Sequence, residues 1–182
     1  MAGQGELDLM ISPNEIYIRS SDPFTEQDFA LLYNAIKGEN WRLRNHILPG
    51  VVYASKIWGL NTKLMLAQSI LETGWGKSEI CVLLHNTAGM KRVDADGDEF
   101  DDFQPFANFA AGTMGQSAHL WRYSSRPYER LTEIQAVGML LDSRAVHVPI
   151  GTKALTVTAL ARTWATDPEY ANKIAVIYEK LL

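Results

Sequence analysis

Residues 66–76 read Leu-Ala-Gln-Ser-Ile-Leu-Glu-Thr-Gly-Trp-Gly. A single carboxylate, Glu72, closes an apolar run, and Gly74, Trp75 and Gly76 follow almost at once. Ionising a carboxyl group at the edge of an apolar helix is costly, so its pKa should rise. That is how a protein makes a general acid at neutral pH. The competing reading is a solvated glutamate at a helix end, followed by a glycine stop. Glycoside hydrolysis needs such an acid and usually a second carboxylate across the bond. Six acidic residues crowd into 94–102: Asp94, Asp96, Asp98, Glu99, Asp101 and Asp102. Most of them read as a solvated turn, with one or two expected to face a cleft.

Other chemistries fit less well. An EF-hand counted from Asp94 needs Gly at its sixth position and Glu at its twelfth. Those positions hold Glu99 and Pro105, so the pattern fails. His46, His85, His119 and His147 lack metal-ligand spacing, and no glycine-rich phosphate loop follows a strand pattern. No metal and no cofactor are expected. Cys81 is the only cysteine and sits among apolar residues, which reads as packing rather than nucleophilic chemistry. Trp75, Trp121, Tyr123, Trp164 and Tyr170 include several beside turns. A glycan cleft would stack sugar rings on such side chains, whereas a core would bury them.

These groups need a scaffold. The 182 residues are enough for one domain with a real core, and 47% apolar with 21% charged residues is ordinary for a globular chain. A net charge of -4 gives no electrostatic case for nucleic acid or an anionic membrane. No run approaches the ~18 apolar residues of a membrane span. The start, residues 1–8, lacks the basic and apolar stretches of a secretory signal. A chain acting outside the cytoplasm would then leave by lysis, a dedicated machine or a carrying assembly.

Residues 1–24 read as an extension, with Ile16-Tyr17-Ile18 as a short strand between Pro13 and Pro23. Thr25 and Asp28 resemble a capping box ahead of Phe29, Leu32, Tyr33 and Ile36 at helical spacing. A second apolar helix is predicted over 51–58. The segment 63–71 is apolar on nearly every face, the mark of a buried central helix, and Glu72 falls at its C-terminal end. Asp96-Gly97 signals a hairpin turn. Asn108 would cap the next helix, and further helices are expected over 128–140 and after Pro168. The outline is a mainly helical domain, residues 25–182, with one short β-hairpin.

Four ordered segments resemble the bacterial and phage glucosaminidases, peptidoglycan hydrolases of lysozyme-like fold. The first is residues 66–78, and the second is Asn86-Thr87-Ala88-Gly89-Met90-Lys91. The third is 103–119, with Phe106, Gly112, Gln116 and His119; the fourth runs from Trp164 through Asp167, Pro168 and Tyr170 to Ile174. Together they cover roughly 50–182. The resemblance implies an α+β lysozyme-like fold whose hairpin lies beside the active cleft. It implies cleavage of the β-1,4 bond between N-acetylglucosamine and N-acetylmuramic acid at the bacterial cell wall. Glu72 then matches the catalytic acid, and Asp94 or Glu99 is the candidate second carboxylate. Trp75, Asn86, Trp164 and Tyr170 are expected on the glycan strand. Many members carry Tyr where Trp164 stands, so that hydroxyl is missing here. Two alternatives share these residues: a lytic transglycosylase or muramidase on the same fold, and a non-catalytic wall-binding module.

Overall fold

The structure is a computed structural model that describes residues 11–151 and 154–181. Among these residues the α-helices are α1 (Glu26–Ala35), α2 (Leu48–Trp58), α3 (Thr62–Thr73), α4 (Glu79–Leu84), α5 (Phe109–Ser124), α6 (Glu133–Met139), α7 (Val157–Trp164) and α8 (Tyr170–Lys180). The expected mainly helical domain is observed.

The segment apolar on all faces becomes α3, and every residue from Leu64 to Ile70 is buried. The Asn61 side chain caps its start by accepting from the Leu64 amide at 3.1 Å. Gly74, in the left-handed conformation, ends it. Leu64, Met65, Leu66 and Ile70 each contribute about 1.5–3 kcal/mol by burial, so packing rather than propensity holds this helix. The helices α2 and α5 cross beside it. A Cβ on Gly50 of α2 would lie 2.7 Å from Thr113 Oγ1 of α5, so the missing side chain sets their close approach. Trp58 and Trp121 fill the crossing with ring centroids 5.6 Å apart. On the other flank α8 packs against α3 and buries Ile174 and Ala175.

The Thr25–Asp28 capping box forms with both reciprocal bonds, at 2.8 and 3.1 Å, despite the shorter Asp side chain. Asn108 caps α5 as expected. The helix expected over 51–58 starts earlier. A π-helical turn, Leu43–Ile47, feeds directly into α2, and Pro49 sits in its first turn, where its missing N–H costs little. Of the expected 128–140 helix only Glu133–Met139 forms, started by a capping box between Thr132 and Gln135.

Two expectations are corrected. The β-hairpin is a loop: one isolated antiparallel bridge, Lys91 to Phe103, closes residues 92–102, and a 3-10 turn covers Phe100–Asp102. Arg92 N donates to Asp102 O beside that bridge, but Ala95 N then turns back to Arg92 O and Asp102 N to Glu99 O, so local turns take the amides that further rungs would need. The extension assigned to 1–24 is also revised. Residues 1–10 lie outside the described residues, but Ile16 and Ile18 are buried in the core. Bridges from Tyr17 to Thr156 and from Arg19 to Leu60 tie this segment in, without a regular strand.

Candidate active site

Glu72 stands in the last turn of α3. Beyond it Gly74, Trp75 and Gly76 have φ of 53°, 64° and 75°, three left-handed residues in succession. Glycine adopts this conformation freely, whereas a bulky side chain does so under strain. The strain is held by hydrogen bonds: Trp75 N to Ile70 O at 3.0 Å, Gly76 N to Thr73 Oγ1 at 2.8 Å, and Arg42 to Gly76 O at 2.9 Å. Trp75, expected on the glycan strand, thus lies within the turn that ends α3 after Glu72. The Trp75 ring packs against the hydrophobic core and makes no ring contact or hydrogen bond with Glu72, Trp164 or Tyr170.

The two oxygens of Glu72 are unlike. Oε1 accepts from the Tyr170 hydroxyl at 2.8 Å and from the Trp164 indole N–H at 3.2 Å. Oε2 has no donor among the described residues and faces Gly89, where a Cβ would lie only 3.0 Å away. Burial pushes the carboxyl group above its ordinary pKa, and the bonds from Tyr170 and Trp164 pull back against that rise. With Oε1 engaged by two donors, the proton of the neutral acid belongs on Oε2.

Tyr170 is fixed by a buried chain of amides. Gln116 Nε2 donates to Met65 O at 3.2 Å and to Gln68 Oε1 at 2.9 Å. Gln116 Oε1 accepts the hydroxyls of Ser69 and Thr87, at 3.0 and 3.1 Å. Met65 O can only accept, so this amide cannot be reversed. Gln68 Nε2 then donates to the Tyr170 hydroxyl at 3.0 Å. Tyr170 is left one direction for its own proton, toward Glu72. Burial, and then the Glu72 charge, push the Tyr170 hydroxyl well above its ordinary pKa, so it stays a donor.

Asn86, expected on the glycan, is fully buried. Its amide donates to Met90 O and Gln104 O at 2.7 and 3.0 Å, and its oxygen accepts from the Ala88 and Met90 amides. It has no polar atom left for a substrate. Its observed part is to shape the loop that carries Gly89, φ 61°, to Glu72 Oε2.

Trp164 is half-buried, and its ring edge meets the ring of His119 at 5.1 Å. His119 is itself held by Asp142, with Nδ1 at 2.9 Å from Oδ2. Beside them opens a cavity of about 530 Å³, lined by Gly89, Lys91, His119, Tyr123, Arg144 and Trp164 among others. A larger hollow, about 750 Å³, lies at the opposite end of α3 near Asn61 and Lys63. Ten residues of helix separate it from Glu72, about 15 Å, so it is not part of this site.

Asp94 and Glu99 are both exposed, and neither is hydrogen-bonded to the Glu72 carboxyl group, whose partners are Tyr170 and Trp164. The Asp94 carboxylate lies 3.9 Å from Arg92, and Glu99 caps the turn at Phe100–Asp102. Cys81 is buried, and burial pushes its thiol up to about 11, which leaves it a packing residue. Among the described residues no three His, Cys, Asp or Glu side chains gather as a metal site, and no helix is long and apolar enough to cross a membrane. Nothing in the residues around them points to Arg144 or Asp142. Gln68 was visible as the one polar side chain inside an apolar run that is neither small nor at its end.

A search of curated proteins found no match. Among solved structures the chain is similar to the catalytic domain of the autolysin Auto from Listeria monocytogenes, at 18% identity, with 88% of this chain and 90% of that one covered and a TM-score of 0.47. The family model described as mannosyl-glycoprotein endo-beta-N-acetylglucosaminidase matches residues 49–182, well over half of the chain. The chain therefore belongs to the glucosaminidase family of glycoside hydrolases.

Proposed function

We propose that this domain hydrolyses the β-1,4 bond between N-acetylglucosamine and N-acetylmuramic acid in peptidoglycan, with Glu72 as general acid. The family implies the substrate. The observation that carries the role of Glu72 is the division of labour between its oxygens. Oε1 is held by Tyr170 and Trp164, while Oε2 is left for the substrate side. The proton on Oε2 passes to the glycosidic oxygen as the bond to the sugar carbon breaks. The bonding pair stays on that oxygen, which leaves as a hydroxyl. Glu72 becomes a carboxylate, and the hydrogen bonds from Tyr170 and Trp164 strengthen on the new charge.

The positive charge developing on the sugar needs a partner. Asp94 and Glu99 are exposed and engaged locally. We therefore assign that part to the N-acetyl group of the substrate, an exception that the two-carboxylate scheme admits. Water then opens the resulting ring. Trp164, bordering the cavity, supplies a surface for a sugar face.

Digestion of purified cell walls, with the products identified by mass spectrometry, tests this reading. N-acetylglucosamine reducing ends are expected, and Glu72→Gln should slow their release by about 10²- to 10⁴-fold. Equal release by both proteins would refute Glu72. Anhydromuramic ends would make the domain a lytic transglycosylase, and N-acetylmuramic reducing ends a muramidase.

A further inference from the structure

The cavity beside Trp164 has a basic lining. Lys91, His119, Arg144 and His147 border it, and no Asp or Glu does. Most of these groups already have partners. Lys91 Nζ lies 2.6 Å from Asp98 and donates to Gly97 O. His119 is paired with Asp142. His147 meets the Val93 carbonyl at 3.2 Å. Arg144 differs: its guanidinium has no carboxylate partner among the described residues.

Arg144 is nonetheless held in place. It lies in the 3-10 turn Ser143–His147, and its backbone amide donates to Asp142 Oδ1 at 3.1 Å. Asp142 is in turn fixed by His119, whose ring supports Trp164. The charge of Arg144 acts on the Tyr123 hydroxyl, another group lining the cavity. A half-buried guanidinium without an anion, on a rigid base and next to a sugar-sized surface, matches a planar carboxylate.

We propose that this cavity is a carboxylate subsite, with Arg144 as its anchor, that binds an acidic substituent of the glycan strand while Glu72 acts on the neighbouring bond. The proposal rests on the peptidoglycan reading and makes it more specific: the enzyme selects carboxylate-bearing strands over neutral ones. Two sources supply that carboxylate. One is the peptide attached to muramic acid. The other is the lactyl group itself, which is free only where the peptide has been removed.

The test is steady-state kinetics of the full chain on three soluble strand preparations: peptide-bearing, peptide-stripped, and peptide-bearing with all carboxylates converted to carboxamides. For the wild type, amidation should raise KM about tenfold, the effect of one charge-assisted bond, with kcat nearly unchanged. Arg144→Met should raise KM equally on native strands and not at all on amidated ones. Arg144→Lys should recover part of the loss. Arg144 dependence on peptide-bearing strands alone names the peptide as the source, and dependence on stripped strands alone names the lactyl group. Equal KM for native and amidated strands in the wild type overturns the subsite, as does an Arg144→Met loss that persists on amidated strands. Neither outcome bears on Glu72, whose reading stands or falls by Glu72→Gln on native strands.

Discussion

The molecule has two acidic regions built in opposite ways. Glu72 is carried by a buried helix, and the groups it touches are themselves held: Tyr170 by Gln68, Gln68 by Gln116, and Trp164 by His119. The loop 92–102 holds six carboxylates, most of them exposed, tied to their own loop through Lys91, Arg92 and local turns. A carboxylate in water costs nothing to ionise and is held by little. One at the edge of a core is displaced in pKa and fixed in direction by its neighbours. Acid chemistry here follows burial and connection rather than the density of acidic residues.

Glu72→Gln should have the largest effect on rate, and the buried amide chain should come next. Tyr170→Phe removes a donor to Glu72 and leaves Gln68 Nε2 without its acceptor. Gln68→Leu leaves Glu72 its donor but frees the Tyr170 proton to turn elsewhere and strands one N–H of Gln116 Nε2. Each should destabilise the fold by about 1–3 kcal/mol, the cost of an unsatisfied buried polar group. Each should also lower kcat by roughly ten- to a hundredfold, with KM less affected. Urea unfolding and kinetics on the same preparations measure both. If Gln68→Leu lost stability but kept full kcat, the chain would serve the fold alone and the contrast would weaken.

A smaller effect separates the function of Glu72 from its cost to stability. Burial raises its pKa above the ordinary value near 4.5, so folding favours the protonated form. Stability linked to this group is fully present below that ordinary value and is lost as pH rises through the folded-state value. Glutamine stays neutral, and its amide oxygen still accepts from Tyr170 and Trp164. Glu72→Gln should therefore melt with the wild type near pH 4 and above it at pH 7. A variant less stable than wild type at pH 7 would mean that the ionised carboxylate is favoured in place.

Much of this was legible in the residues. Seven buried positions in succession on α3 could be read because an all-apolar segment has only one stable home. Glu72 could be read because it interrupts that segment at its end. Trp164 and Tyr170 were expected at the site and both donate to Glu72, 92 and 98 residues away in sequence. Other features were not legible, for physical reasons. The Asp96-Gly97 turn signal is local, whereas a hairpin depends on backbone rungs between its arms, and here the Ala95 and Asp102 amides are spent on turns within their own arms. Asn86 and Trp75 stand in the right motifs, but nothing in their neighbours says that one is consumed by its own loop and the other by a left-handed turn. Ile16 and Ile18 looked peripheral because their partners, near Leu60 and Thr156, are distant in sequence. Arg144 and Asp142 acquire meaning only through His119, a contact between separate elements.

The acidic loop should matter least to catalysis. Asp94→Asn and Glu99→Gln each remove a charge that lies in solvent and contacts no residue around Glu72. Exposed charges several ångströms apart act through water and are screened within about 8–10 Å at ordinary salt. Each variant should therefore keep initial rates of wall digestion within about twofold of wild type, and the double variant should do no worse than their product. A hundredfold loss from one of them, with unchanged melting, would require that carboxylate to reach the reacting sugar. The loop would then have to close over the bound strand, and the N-acetyl group would lose its assigned part. Near-full activity in the double variant leaves the substrate as the source of the second group, because no Asp or Glu borders the cavity beside Trp164.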